Sequence, residues 1–301
     1  MVEIIDTNGH GHNLVFSTSQ EAWETLNEFF ICNYDYIVNN GGIAYGTFLA
    51  SYHNTVHIKN SWVEPTIDFG DLFGYRMQKW TSLVNNYIDL NMLDLTRSKV
   101  NTFESKKARS YNVSYLFDNS HNSGKGCLLS LTFSKMYDRD EPILTVSMRS
   151  SEITKRLILD LLLIHRMGEY VYGKEARFSI VLSAPQMYTN AETLAMYSRH
   201  KSYKKVYKIH GKNKSDANDW EQRVLDERER MATVDPKTIN YKLHLRSVKQ
   251  LQREKHGYEY RPMLAKDLYI VDESIDYPEN CITLKDRRKY EQRFKRRAKT
   301  E

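Results

Sequence analysis

The stretch from Gly126 to Asn190 decides the fold, and it reads GCLLSLTFSKMYDRDEPILTVSMRSSEITKRLILDLLLIHRMGEYVYGKEARFSIVLSAPQMYTN. Two runs of apolar, aromatic and β-branched residues, 127–135 and 142–149, flank a charged turn, and this pattern predicts a β-hairpin. A long apolar helix is predicted from about Glu152 to Gly168, followed by a strand over 178–184. We expect these consecutive rigid elements to bring one cysteine, one arginine and one carboxylate to a common site.

The segments before this stretch mix helical and extended patterns. A capping-box pattern at 18–21 begins an amphipathic helix, and an apolar stretch through Tyr52 is read as helical or mixed. Residues 61–80 are punctuated by glycine and rich in aromatics, which is typical of a loop over a pocket. A helix is predicted from Met77 to about Leu95, and alternation over 111–115 predicts a strand. Strands mixed with helices around one long apolar helix indicate an α+β fold.

The composition excludes several classes of protein. The chain has 301 residues and is 41% hydrophobic, as expected of a soluble globular protein. The longest apolar run, 157–164, is too short to span a bilayer and is interrupted by Asp160. The N-terminus lacks the pattern of a signal peptide, and the three cysteines form no CxxC pair. We therefore expect a cytoplasmic protein with no membrane segment. We also expect no metal site, since His10 and His12 have no accompanying carboxylate or cysteine cluster.

The positive charge is concentrated at one end of the chain. The net charge is +6, and residues 281–301 carry nine Lys or Arg against three Asp or Glu, so residues 1–280 are neutral overall. A nucleic-acid-binding body is therefore not implied. Such a basic tail is most often a solvated helix, with nucleic acid contact through 281–301 as the alternative. Residues 211–256 are highly charged and helical in period, so we divide the chain into a domain over 1–210 and a charged helical extension with a basic tail over 211–301.

The order of polar residues in the central stretch resembles the thymidylate synthase family. Thr132-Phe133 follows Cys127 by five and six positions, and Asp160 follows Arg149 by eleven. Both spacings are similar to those of the family's nucleophilic cysteine and its base-recognising residue. Further matching segments are Arg149-Ser150-Ser151-Glu152, Gln186-Met187-Tyr188-Thr189-Asn190, Phe73-Gly74-Tyr75 with Trp80, and Ala108-Arg109-Ser110. The resemblance covers roughly residues 60–200 and implies a thymidylate-synthase-like mixed sheet with a long buried central helix.

The resemblance also implies a reaction. A cysteine thiolate, here that of Cys127, adds to C6 of a pyrimidine nucleoside monophosphate, and C5 then attacks a one-carbon donor. Arg149 and Ser150 would bind the 5′-phosphate, and Arg109 would reach the same phosphate across a homodimer interface. The remaining pocket ligands implied are Gln186, Tyr188 and Asn190. The donor would be 5,10-methylenetetrahydrofolate, with Glu152 and Trp80 on the cofactor side.

Asp160 bears on the choice of base and is counted with the catalytic residues. Uracil presents an N3–H donor and an O4 acceptor, which an asparagine amide matches, whereas cytosine presents an N3 acceptor and an amino donor. A carboxyl group at this position suits cytosine, particularly when it is protonated. The sequence is therefore closest in pattern to the (deoxy)cytidylate hydroxymethylase branch, and dCMP or CMP is the expected substrate, with hydroxymethylation or methylation at C5.

Other interpretations remain open at this point. Leu128, Thr132 and Gln186 replace the family's His, Gln and sugar-contacting His, and no Glu in 33–63 stands for its general base. These departures favour a catalytically silent nucleotide- or nucleic-acid-binding protein on the same scaffold. Cys127 could instead be a small core residue. Asp160 could belong to a core network in which its hydrogen bonds are satisfied. A further alternative is a uracil-directed enzyme, in which Asp160 would be merely structural.

Overall fold

The computed structural model describes most of the first 190 residues and part of the C-terminal region. The described ranges are 3–6, 12–39, 48–102, 110–117, 126–136, 139–190, 193–194, 197, 225–226, 228–229, 232–233, 262–272, 274–278, 280–281 and 283–297.

Eight strands within these ranges form one mixed sheet, in the order β1-β2-β3-β8-β6-β5-β4, with β7 paired to β8. β8 pairs antiparallel with β3 and parallel with β6 and β7, which makes it the centre of the sheet. The expected α+β fold with a mixed sheet is therefore confirmed. The strands are β1 (Glu3–Asp6), β2 (His12–Thr18), β3 (Phe48–Asn60), β4 (Ser110–Leu116), β5 (Leu128–Met136), β6 (Arg139–Met148), β7 (Ser151–Glu152) and β8 (Ser179–Asn190).

Six α-helices have both of their ends within the described residues. None of them is long and apolar enough to cross a membrane. They are α1 (Ser19–Asn39), α2 (Phe69–Phe73), α3 (Met77–Tyr87), α4 (Leu90–Asn101), α5 (Leu157–Tyr172) and α6 (Leu284–Arg297).

The expected long buried helix is α5, although it begins later than predicted. Ser151 and Glu152 first pair with β8, and a turn then leads into the helix at Leu157. The carboxylate of Glu152 accepts hydrogen bonds from three consecutive N–H groups of that turn, 154–156, at 2.8–3.2 Å. The helix is buried almost all round, and a Cβ on Gly168 would lie 2.0 Å from Cζ of Phe178. Glycine at this position therefore allows the aromatic ring to pack directly against the helix.

The predicted single helix over 77–95 is two helices. The chain breaks at Ile88 and Asp89, where the Asp89 carboxylate accepts hydrogen bonds from the N–H groups of residues 91 and 92 and so caps α4. Tyr115 of β4 holds the break, since its hydroxyl accepts from the Asp89 N–H at 2.7 Å and donates to the Tyr87 carbonyl at 3.1 Å. A residue distant in sequence thus helps to stabilise the point where α3 ends and α4 begins.

Two further interpretations change and one is confirmed. The stretch read as helical or mixed through Tyr52 ends in β3, which pairs with both β2 and β8. Residues 61–80 contain α2 and the start of α3 and are not one loop. The capping box at α1 is present: Thr18 Oγ1 accepts from the Glu21 N–H at 3.1 Å, and the Glu21 carboxylate accepts from the Ser17 N–H at 2.6 Å.

Part of the predicted C-terminal extension packs into the body. The indole N–H of Trp80 donates to the Tyr269 carbonyl at 2.9 Å, and Arg166 of α5 donates to the Leu268 carbonyl at 2.8 Å. The Met263 N–H also donates to the Asp68 carboxylate at 3.0 Å. The boundary predicted at 210/211 and nearly all of 211–256 lie outside the described residues. The buried apolar residues within the described part of the extension are Met263, Ala265, Leu268, Ile270, Val271, Ile275 and Leu284.

Candidate functional site

The end of the β5–β6 hairpin positions a cysteine against helix α3. Cys127 directly precedes β5, and Arg149 directly follows β6. The Arg149 N–H donates to the Cys127 carbonyl at 2.8 Å, while the Cys127 N–H donates to the hydroxyl of Tyr87 at 2.8 Å. Both the N–H and the carbonyl of the cysteine are thus hydrogen-bonded to neighbouring elements. These bonds fix the backbone position from which the half-buried side chain projects.

Opposing charges act on the Cys127 thiol. Burial raises its pKa, and the carboxylate of Asp160 raises it further. The guanidinium of Arg156, a hydrogen bond with the Ser150 side chain, and Arg149 each lower the pKa, but the net direction is upward. The thiol is therefore protonated near neutral pH in the absence of a ligand, and it becomes a thiolate more readily when the negative charge of Asp160 is removed.

Asp160 is a fully buried carboxyl group on α5. Neither of its oxygens has a hydrogen-bond partner among the described residues. Burial raises its pKa to about 6, Glu152 adds to this rise, and Arg156 and Lys79 oppose it. A buried polar group without a partner is costly, so Asp160 does not form the satisfied core network considered above. Such groups are concentrated at functional sites.

A cleft opens beside these residues, between α3 and the residues that directly precede β5 and α5. Its volume is about 270 Å³, near the lower limit of ligand pockets, which span roughly 300–1,000 Å³. Cys127 and Asp160 lie close enough to the cleft to act electrostatically on Tyr87 and Arg156, which line it. The lining residues are Lys79, Ser82, Leu83, Asn86, Tyr87, Gly126 and Arg156.

Two cations of the cleft, Lys79 and Arg156, were not predicted from the sequence. Burial lowers the pKa of Lys79, and the positive charge of Arg156 lowers it further. Burial also disfavours the charged form of Arg156, but Asp160 and nearby phenol and thiol groups outweigh this and raise its pKa. The spacing of Arg156 and Asp160, four residues apart at the start of a helix, is a signal that could have identified the arginine. No comparable pattern marks Lys79.

The predicted substrate ligands on β8 share one side of the strand. Gln186, Tyr188 and Asn190 alternate with the buried Met187 and Thr189 and are half-buried. Burial raises the pKa of the Tyr188 phenol, and Cys127 and Glu152 raise it further, which places this tyrosine near the cysteine. The Asn190 side chain accepts a hydrogen bond from the Thr193 N–H at 2.9 Å.

The predicted phosphate ligands fall partly within the described ranges. Arg149 is exposed and Ser150 is half-buried, so both are accessible at the end of β6. Their effect on the thiol pKa places them beside Cys127. Arg109 lies outside the described residues.

The residues predicted to bind a cofactor have structural roles. Trp80 is 2% exposed and its indole is bonded to the Tyr269 carbonyl. The Glu152 carboxylate holds the turn before α5. Their part in folate binding stays a prediction. In the ranges that the structure describes, no group of three or more His, Cys, Asp or Glu could hold a metal ion.

No protein-family model matches this chain, and no curated protein matches it. The functional argument therefore depends on the site itself.

Proposed function

We propose that this protein, on a thymidylate-synthase-like scaffold, transfers a one-carbon group to C5 of a pyrimidine nucleoside monophosphate. The proposed substrate is dCMP or CMP, and the proposed donor is 5,10-methylenetetrahydrofolate. One observation carries the proposal: the half-buried thiol of Cys127 lies in the field of the unpartnered, fully buried carboxyl group of Asp160, beside a cleft.

The chemistry of the two groups is complementary. A protonated Asp160 donates a hydrogen bond to N3 of cytosine, and its carbonyl oxygen accepts one from the amino group. A pKa of about 6 makes this neutral form accessible close to neutral pH. Neutral Asp160 no longer raises the pKa of the Cys127 thiol, so binding of cytosine favours the thiolate that adds to C6.

The remaining roles follow from position. Arg149 and Ser150, accessible at the end of β6, bind the 5′-phosphate, since a guanidinium and a hydroxyl are suitable donors to phosphate oxygens. Tyr188 faces the same region and contacts the sugar. Arg109, outside the described residues, completes the phosphate site across a homodimer interface.

A second candidate is a nucleotide-binding protein without catalysis. The raised pKa of Cys127 favours this alternative, because a thiol that stays protonated is a poor nucleophile. Leu128, where the family has a histidine, is fully buried and supplies no polar group to the site.

Release of tritium from C5 distinguishes the two candidates. The protein is incubated with C5-tritiated dCMP, CMP or dUMP, with and without methylenetetrahydrofolate. Cys127→Ser is the test variant, and Cys281→Ser, at the other described free cysteine, is the matched control. We expect release from a cytosine nucleotide that is lost in Cys127→Ser and kept in Cys281→Ser. Release from dUMP alone would contradict the role of Asp160. Binding of the nucleotides by calorimetry without any release would favour the silent protein.

A further inference from the structure

Three of the hydrogen-bond donors that line the cleft come from two directions and include both of its cations. Lys79 and Tyr87 come from α3, and Arg156 comes from the N-terminal end of α5. The hydroxyl of Tyr87 accepts a hydrogen bond from the Cys127 N–H at 2.8 Å. A phenol that accepts in this way still has its own proton to donate, so the cleft presents an ammonium, a guanidinium and a hydroxyl group.

Some of the charged groups in and beside the cleft have buried polar atoms without a hydrogen-bond partner. Nε of Arg156 is buried and has no hydrogen-bond partner among the described residues, and the same holds for both carboxylate oxygens of Asp160. Asp160 is the acidic group that attracts both cations, but it does not bond to either of them. Two neighbouring cations that repel each other are stabilised by an anion placed between them.

We propose that the cleft binds an oxyanion, a phosphate or a carboxylate group, between Lys79 and Arg156. This site is additional to the phosphate ligands Arg149 and Ser150 at the end of β6. It deepens the proposed function by adding a second acidic group to what the site recognises. The identity of the neighbouring nucleotide rests on the proposed function. The anion site itself does not, because it depends only on the residues that line the cleft.

The cleft limits the size of the group. A volume of about 270 Å³, with seven lining residues, accommodates a small ligand or one end of a larger one. Of these residues, Leu83 is buried and Ser82 and Asn86 are exposed polar side chains. The oxyanion therefore binds at the cationic inner side, and the rest of the ligand extends towards the polar rim.

Binding of two simple anions tests the proposal. Inorganic phosphate and malonate are titrated into the full chain by calorimetry at low ionic strength, because salt weakens such contacts. We expect both anions to bind, and Lys79→Met and Arg156→Gln to weaken binding about tenfold or more, since a hydrogen bond to a charged group contributes about 1.5–3 kcal/mol. Lys79→Arg keeps the charge and retains binding. Lys174→Met, at an exposed lysine, is the matched control and binds as the wild type does.

Two results would overturn the proposal. One is unchanged anion binding by Lys79→Met and Arg156→Gln. The other is no binding of either anion to the wild-type chain. Circular dichroism shows whether each variant is folded, and Lys79→Met, with Lys79→Arg as its charge-keeping control, keeps the test valid if Arg156→Gln does not fold.

Saturation with dCMP separates the two sources of the oxyanion. If dCMP displaces the phosphate or malonate, the cleft holds the nucleotide's own 5′-phosphate, and the site is not additional to Arg149 and Ser150. If a second substrate supplies it, anion and nucleotide bind together. Anion binding without tritium release from any nucleotide would refute the proposed reaction and leave the oxyanion site intact.

Discussion

Replacing Asp160 by asparagine should change how the stability of the protein depends on pH. The folded protein raises the pKa of this carboxyl group from 3.8 to about 6, chiefly by burial. The folded state therefore binds the proton more tightly than the unfolded state does. The stability gained from the protonated group is fully present below about pH 4 and is lost as the pH rises through about 6.

The magnitude follows from the shift. About two pKa units at about 1.4 kcal/mol each give about 3 kcal/mol between the two limits. Asparagine cannot ionise, so Asp160→Asn does not undergo this loss. We expect the free energy of unfolding of the variant, minus that of the wild type, to rise by about 3 kcal/mol from below pH 4 to pH 8. Any constant effect of the amide cancels in this difference.

Urea denaturation at a series of pH values, followed by tryptophan fluorescence, measures the difference directly. Asp276→Asn, which removes an exposed carboxylate, is the matched control. A difference for Asp160→Asn that stays constant, or that falls as the pH rises, would refute the argument that an unpartnered buried carboxyl group lies on α5.

Two further predictions concern the thiol and the packing of α5. Because the Asp160 carboxylate raises the pKa of Cys127, Asp160→Asn should lower that pKa. The rate of alkylation by iodoacetamide should then rise at a lower pH than in the wild type. An unchanged pH profile would show that the two groups are not coupled. Gly168→Ala should destabilise the protein by about 1–3 kcal/mol, because the new methyl group overlaps the ring of Phe178. Urea denaturation measures this loss, and in a Phe178→Leu background it should be smaller; an equal loss would mean that the two positions do not interact.

The sequence predicted well those elements whose signals are local. The strands on both sides of the hairpin turn, the capping box at 18–21 and the buried character of α5 each follow from patterns within a few residues. The break between α3 and α4 was missed although Asp89 is a local capping signal, and the bonds from Tyr115 that stabilise the break come from a distant part of the sequence. The strand β3 was misread because its pairing with β2 and β8 decides its conformation.

Part of the candidate site was identified from the sequence, because spacing along the chain is visible there and tertiary packing is not. Spacing along the chain pointed to Cys127, Asp160 and Tyr188. In the structure, Asp160 affects the pKa of Cys127, and Cys127 affects the pKa of Tyr188. Lys79 was missed because α3 reaches the site only through tertiary packing. Arg156 was missed although its spacing from Asp160 could have been recognised in the sequence.

The packing of residues 263–271 against the body has a consequence for synthesis of the protein. Trp80 and Asp68 bond to groups 189 and 195 residues later in the chain. At about 5–20 residues per second, a ribosome needs about 10–40 s to make that intervening length. During this interval residues 263–271 cannot yet cover the part of the core against which they pack. We therefore expect folding to be completed only after residues 263–271 have left the ribosome, and until then the apolar surface that they cover stays exposed.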